Sequence, residues 1–276
     1  EDPEVLMERE RAVWSVLGLR GRMIIAEEGL NGTLEGTVEN TEKYAEHILG
    51  DKRFKYMKIK RSESDGTTFP RISIKVRDEI VGTHFPAHID PRKKTAPHLT
   101  AKQVNRMFEK GEDFVVVDMR NSYEIESGKF LNTIDPGMTA SRELPEKVDY
   151  IRQQAQGKKI LTVCTAGVRC EKMSALLLDQ GFEDVYQLED GIHSYIQKYP
   201  GKHFEGTLFT FDNRLTMDFT DERPVIGECK RCDQKSENYQ NCANDECHLL
   251  CIVCEDCISK DGLAFCSQDC TDTVTV

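Results

Sequence analysis

The chain has 276 residues, 38% of them hydrophobic, and a formal net charge of −11. That length suits two or three domains with ordinary cores. The acidic balance argues against a protein that coats nucleic acid in general, and no apolar run is long enough to cross a membrane.

The charge is uneven. Residues 1–98 hold 17 basic and 17 acidic side chains, whereas residues 201–276 hold 7 and 15. No secretory signal opens the chain, and it starts without methionine, as a trimmed start would. Nine of the 11 cysteines fall after residue 228, largely as short-spaced pairs. Clustered CxxC pairs in an unsignalled chain read as metal ligands, so a reducing, cytoplasmic setting is expected.

Taken in order, Pro3 to Leu19 has helical spacing and stops at Gly18. A strand is predicted over Met23 to Ala26, a turn over Glu28 to Gly32, then a short extended piece. Asn40 and Thr41 are N-cap candidates for a helix over Glu42 to Leu49. Strands are predicted near Met57 to Lys60 and over Arg71 to Val81. This order suggests an α+β sandwich of ferredoxin-like or acylphosphatase-like type over residues 1–97, with one strand missing from the front.

Lys52, Arg53, Lys55, Lys58, Lys60 and Arg61 interleave with Phe54 and Tyr56. Their functional reading is an RNA contact, with phosphates on the cations and bases on the rings. The bland alternative is a solvated strand edge. His84 and His88 have no partner spacing that makes them ligands. Asp90 to Pro97 reads as the first domain boundary.

Residues 98–200 alternate between helix and strand. Helices are predicted over Ala101 to Lys110, Glu146 to Gln154 and Gly191 to Tyr199. Strands are predicted over Phe114 to Val117, Lys129 to Ile134 and Val185 to Leu188. Such alternation means a parallel α/β sheet. Its centre is Lys158 to Leu178, in which the strand residues Ile160 to Val163 end at Cys164, a tight loop follows, and a helix starts at Arg169 or Cys170. The loop N–H groups and the helix dipole converge there, which biases a cysteine toward thiolate. The bland reading is a buried strand-end cysteine. A phosphatase-type loop is the competitor, but it needs one residue more than the four between Cys164 and Arg169 to surround a phosphate. The smaller ring suits one sulfur atom. Cys170 reads either as a resolving thiol or as a first-turn residue facing the core.

Residues 201–276 carry a hairpin pattern over Phe204 to Phe211 and Leu215 to Asp218. The paired cysteines are Cys229/Cys232, Cys242/Cys247, Cys254/Cys257 and Cys266/Cys270. Eight thiolates serve two tetrahedral all-cysteine zinc sites with no open position, hence structural ions. Which pairs share an ion is open, and Cys251 is left over. An iron–sulfur cluster is the runner-up, without the C-x2-C-x2-C-x3-C-P run.

The segments FVVVDMRNSYE, GKFLNTIDP, CTAGVR and GFEDVYQLEDGI resemble a rhodanese domain. The resemblance implies Cys164 as the sulfur-carrying nucleophile, Thr165, Ala166, Gly167, Val168 and Arg169 as its loop, and Asp118 with Arg120 as a supporting pair. GRMIIAEEGLNGTLEG in front, CTAGVRCEKMSA in the middle, and YQNCANDEC, CEDC and CSQDC behind together resemble the rhodanese-domain tRNA uridine hydroxylases. That narrower likeness implies oxygen-dependent formation of 5-hydroxyuridine at the wobble position of the tRNA anticodon loop. Ala166 stands where the family usually has glycine, which requires a negative φ there. No flavin or haem motif is visible. The alternative is a sulfurtransferase passing persulfide sulfur to an acceptor thiol. The fold expected is a central rhodanese-like α/β domain between the N-terminal α+β domain and a small zinc domain over 201–276.

Overall fold

A computed structural model of the chain describes residues 2–274. It divides into two compact units, Glu1–His84 with Phe211–Arg214, and Phe85–Thr210 with Leu215–Val276.

In the first unit, helix α1 (Pro3–Val16) starts with Pro3 in its first turn, where the missing N–H costs nothing, and with the Asp2 carboxylate accepting from the Glu4 N–H at 2.8 Å. Strands β1 (Arg20–Ala26) and β2 (Gly29–Glu35) form a hairpin, helix α2 (Val38–Gly50) follows, and β3 (Ile72–Val76) returns alongside β1. The sheet order is β2-β1-β3, antiparallel at the hairpin and parallel between β1 and β3. Leu6, Trp14, Met23, Ile25, Tyr44 and Ile48 form its core.

Four local expectations are corrected here. The hairpin turn is Glu27-Glu28 rather than Glu28 to Gly32, because pairing continues to Ala26↔Gly29 and Leu30 and Leu34 pack on the core. Thr37 caps α2, accepting from the Asn40 N–H at 3.2 Å, while Thr41 lies inside the helix and bonds back to Thr37 and Val38 carbonyls. No strand forms at 57–60. Turn bonds from the Phe54 N–H to the Asp51 carbonyl and from the Met57 N–H to the Phe54 carbonyl lead into this stretch, and among the described residues no strand pairs with it, although Met57 and Ile59 pack on the core two residues apart. The strand starting at Ile72 stops at Val76. Beyond it the Glu28 and Glu79 carboxylates take the N–H groups of Ile80, Thr83 and His84.

The second unit holds β4 (His98–Leu99), α3 (Ala101–Glu109), β5 (Phe114–Asp118), α4 (Ser122–Ile125), β6 (Gly128–Phe130), β7 (Thr133–Ile134), α5 (Leu144–Ala155), β8 (Lys159–Val163), α6 (Val168–Asp179), β9 (Val185–Leu188) and α7 (Gly191–Lys198). A five-stranded parallel sheet runs β4-β9-β8-β5-β7. Both faces are covered. Val117 and Ile160 pack under α5 and α6 with Ile151, Met173 and Leu177, while Val116, Leu161 and Val163 pack under α3 and α7 with Val104, Ile192 and Tyr195. Burial on both sides is why these strands read as continuous apolar runs.

The segment before β4 is no free linker. Thr95 donates to the Glu171 carbonyl, and the Ala96 N–H reaches the Ser174 hydroxyl. The single strand expected over 129–134 is two. Gly128–Phe130 pairs with β10 (Phe204–Gly206), and Thr133–Ile134 joins the main sheet after a left-handed turn at Asn132. The expected hairpin after Phe204 is correspondingly shorter, β11 (Leu208–Phe209) with β12 (Thr216–Met217). Gly206, the last residue of β10, takes φ +76° and turns the chain before β11. Further on, β13 (Tyr239–Asn241) pairs with β14 (Leu250–Ile252), and α8 is Gln268–Val274.

Candidate active site and metal centres

Strand β8 ends at Val163, and α6 begins at Val168, so Cys164 to Gly167 span the carboxyl edge of the sheet at a helix amino end. Gly167 takes φ +94°, and Ala166 is not among the left-handed residues, as its methyl requires. The turn aims the Gly167 N–H at Cys164 Sγ, 3.2 Å away. The Cys170 N–H and thiol also point at that sulfur. From behind, the first N–H groups of α7 hold the loop, Ile192 donating to the Cys164 carbonyl and His193 to the Thr165 carbonyl at 2.9 and 3.0 Å. A side chain at Gly191 would meet the Gly167 nitrogen at 2.6 Å, so α7 approaches this closely only with glycine there.

Cys164 is 1% exposed. Burial by itself opposes its ionisation. The Cys170 thiol, the Arg169 charge and the N–H groups of Cys170 and Gly167 outweigh that cost and bring the Cys164 thiol down to about 6. Cys170, also buried, moves the other way. Burial and the neighbouring Cys164 sulfur hold its thiol well above the usual range. Cys170 is thus a core-facing residue of the first turn of α6 and a donor to Cys164.

Arg169 does not point into open solvent. It makes a bidentate pair with Glu124 at 2.6 and 2.8 Å and donates to the Thr165 hydroxyl at 3.0 Å. Glu124 is fully buried and also accepts the Asn121 N–H. Asp118 and Arg120 form a second buried pair at 2.7 Å. Arg120 additionally donates to the Glu124 and Gly128 carbonyls, which fixes α4 and therefore Glu124.

The eight paired cysteines gather as two groups, Cys229, Cys232, Cys254 and Cys257, and Cys242, Cys247, Cys266 and Cys270, each with sulfur atoms within 4.8 Å of one another. Cys232 and Cys254 lie 3.6 Å apart, as do Cys247 and Cys266, and Cys266 and Cys270. A tetrahedral site with metal–sulfur bonds of about 2.3 Å places its sulfurs about 3.8 Å apart, so these groups fit a zinc-sized ion. The first pair joins the third and the second joins the fourth. The β13–β14 hairpin feeds both groups, β13 leading into Cys242 and β14 toward Cys254. Cys251 sits on β14 inside the small core, and burial pushes its thiol up to about 11. His248 is in neither group.

Family models match the chain as a UPF0176 acylphosphatase like domain over residues 1–80, a rhodanese-like domain over 100–198 and a rhodanase C-terminal region over 205–271. A tRNA uridine(34) hydroxylase from Cytophaga hutchinsonii is 40% identical over 98% of this chain and 85% of its own length. One from Staphylococcus aureus strain MRSA252 is 37% identical with the same two coverages. The chain belongs to the tRNA uridine(34) hydroxylase family. Within this hydroxylase family the loop just described falls in the rhodanese-like region, and both cysteine groups fall in the C-terminal region.

The basic run is less available than its composition suggests. Arg53 bonds Asp51, Arg61 makes a bidentate pair with Glu42, and Lys55 lies over its neighbour Tyr56 at 4.5 Å. Glu124 and Gly191 carry no role in the sequence reading. Glu124 had one local signal, the N-x-x-E spacing from Asn121 that places a carboxylate back on the first N–H of a helix. Gly191 had none, because what it approaches is 24 residues away in sequence.

Proposed function

We propose that this chain forms 5-hydroxyuridine at uridine 34 of tRNA, with Cys164 as its nucleophile and molecular oxygen as co-substrate. Two lines support the reading. Relatives at 37–40% identity over 98% of the chain are named tRNA uridine(34) hydroxylases. The single observation that carries the residue assignment is the Cys164 sulfur in the loop between β8 and α6 with the Gly167 N–H aimed at it from 3.2 Å, a setting that brings its thiol down. At neutral pH such a cysteine is mostly thiolate.

A thiolate, or a sulfur atom carried on it, adds to C6 of uracil and places an electron pair on C5. C5 then bonds an oxygen atom supplied by an oxygen donor. Loss of the C5 proton and departure of sulfur from C6 restore the double bond and leave the hydroxyl on C5. The second oxygen atom leaves as water, taking two electrons and two protons from an external two-electron donor. With Cys164 1% exposed, uracil meets Sγ only when the loop opens, or meets an outer sulfur atom that Sγ carries. Thr165 to Arg169 hold the sulfur and its charge, and Asp118 and Arg120 hold α4 behind them. Zinc is the metal proposed for both cysteine groups. With four thiolates each they leave no open position, so the ions serve folding. The setting proposed is the cytoplasm, where tRNA and reduced thiols coexist.

The test is nucleoside mass spectrometry on bulk tRNA from cells with and without the protein. Loss of 5-hydroxyuridine on deletion is expected. Rapid thiocyanate formation from thiosulfate and cyanide, with tRNA unchanged by deletion, would establish the sulfurtransferase instead.

A further inference from the structure

The first unit carries a cluster of positive charge that the Cys164 chemistry does not use. Strands β1 and β3 run in register, with Arg22 opposite Ser73 and Ile24 opposite Lys75. Side chains alternate across a strand. Met23, Ile25, Ile72 and Ile74 turn toward the core with α1 and α2. Arg22 and Lys75 therefore turn to the opposite face, where both are exposed, and Arg71 and Arg77 flank β3 in the same phase and are exposed too.

Among the described residues no carboxylate pairs with Arg71, Lys75 or Arg77. Three of the acidic side chains flanking these strands are engaged with backbone N–H groups, while Glu27 and Asp78 are exposed. Glu28 accepts from the Ile80 N–H, Glu79 from Thr83 and His84, and buried Glu35 from Thr68 and Phe69. The same unit includes Phe211, a residue 41% exposed, with the Arg22 guanidinium 5.2 Å from its ring centroid. Cations spaced along an open sheet, beside an exposed ring already stacked by a guanidinium, match a strand with a charged backbone and flat bases. An acidic peptide would use the cations and leave the ring without a role.

We infer that this sheet face binds the single-stranded part of the tRNA substrate, with phosphates on Arg71, Lys75 and Arg77 and a base on Phe211. The inference rests on the tRNA reading above and places the contact on the sheet rather than on the run from Lys52 to Arg61.

The experiment measures binding of a fluorescein-labelled anticodon stem-loop RNA to the full chain by fluorescence polarisation across a salt series. Each phosphate contact on a single strand contributes about 0.7 to the slope of log affinity against log salt. Arg71→Glu/Lys75→Glu/Arg77→Glu is expected to weaken binding at least about tenfold and to lower that slope by about 2. Phe211→Ala is expected to weaken it about tenfold with the slope unchanged. Lys52→Glu/Lys55→Glu should change it by less than about twofold. The milder Arg71→Gln/Lys75→Gln/Arg77→Gln guards against misfolding, with thermal unfolding checked against wild type. Unchanged binding in the triple variants overturns the inference, as does an equal loss in the Lys52/Lys55 variant. Competition by poly-glutamate as strong as by unlabelled RNA also overturns it. The tRNA nucleoside measurement separates the two claims. Loss of 5-hydroxyuridine on deletion, combined with triple variants that bind normally, sinks this surface and leaves the hydroxylase standing.

Discussion

Replacing Arg169 by glutamine tests how the loop charges its cysteine. In the wild type the Cys164 thiol sits at about 6, against an ordinary value of about 8.5. At pH 7 that makes Cys164 mostly thiolate, where an unperturbed cysteine has about one thiolate in thirty. Burial opposes the thiolate, and the Arg169 guanidinium is the one full charge among the groups that overcome it. Arg169→Gln should raise the Cys164 midpoint by at least about one unit and cut the thiolate at pH 7 several-fold or more. The assay is iodoacetamide labelling of Cys164 across pH, followed by peptide mass spectrometry. Burial slows every rate alike and leaves the midpoint in place. The same substitution strands fully buried Glu124 without its partner, at a cost of about 3–5 kcal/mol. Arg169→Lys, which keeps a charge, should recover part of the midpoint but not the bidentate pair. The stability linked to Cys164 has a definite sign. Its folded value lies below the unfolded one, so its contribution is complete above the unfolded value and is lost as pH falls through about 6. A Cys164 midpoint that stays near 6 in Arg169→Gln refutes this electrostatic account.

Other consequences are equally open to measurement. Asp118→Asn leaves Arg120 buried without its counter-charge and should cost about 3–5 kcal/mol, read as a fall in unfolding temperature of about 10 °C; an unchanged transition would contradict the brace. Cys229→Ala should release one metal ion and expose Cys232, Cys254 and Cys257 to alkylation while the other four stay protected. Reaction of Cys242 or Cys247 instead would contradict the pairing. Gly191→Ala should destabilise the chain by about 1–3 kcal/mol through a left-handed alanine and a contact with the loop backbone, seen in thermal unfolding.

What was legible beforehand follows the range of the forces involved. The β8–loop–α6 unit is local, since its apolar run, its glycine and its amphipathic helix lie within 21 residues, and the structure keeps that order. Short cysteine spacings exposed the metal pairs. Which pairs share an ion depends on a hairpin folding back through space, so spacing left it open. Glu124 was hidden because its partner Arg169 is 45 residues away. The strand expected at 57–60 failed because Met57 and Ile59 alternate onto the core as a strand would, yet among the described residues no neighbouring strand pairs with them, which spacing alone does not reveal. The basic run overstated its free charge, because Asp51 and Glu42 lie outside it in sequence and against it in space.

The central claim is that the Cys164 sulfur performs chemistry on uridine. It is tested most directly by complementing deletion cells with wild type or Cys164→Ser and measuring 5-hydroxyuridine at the wobble position of their tRNA. The account predicts that wild type restores the nucleoside and that the serine variant, present at equal abundance, leaves it absent. Full restoration by Cys164→Ser would contradict it.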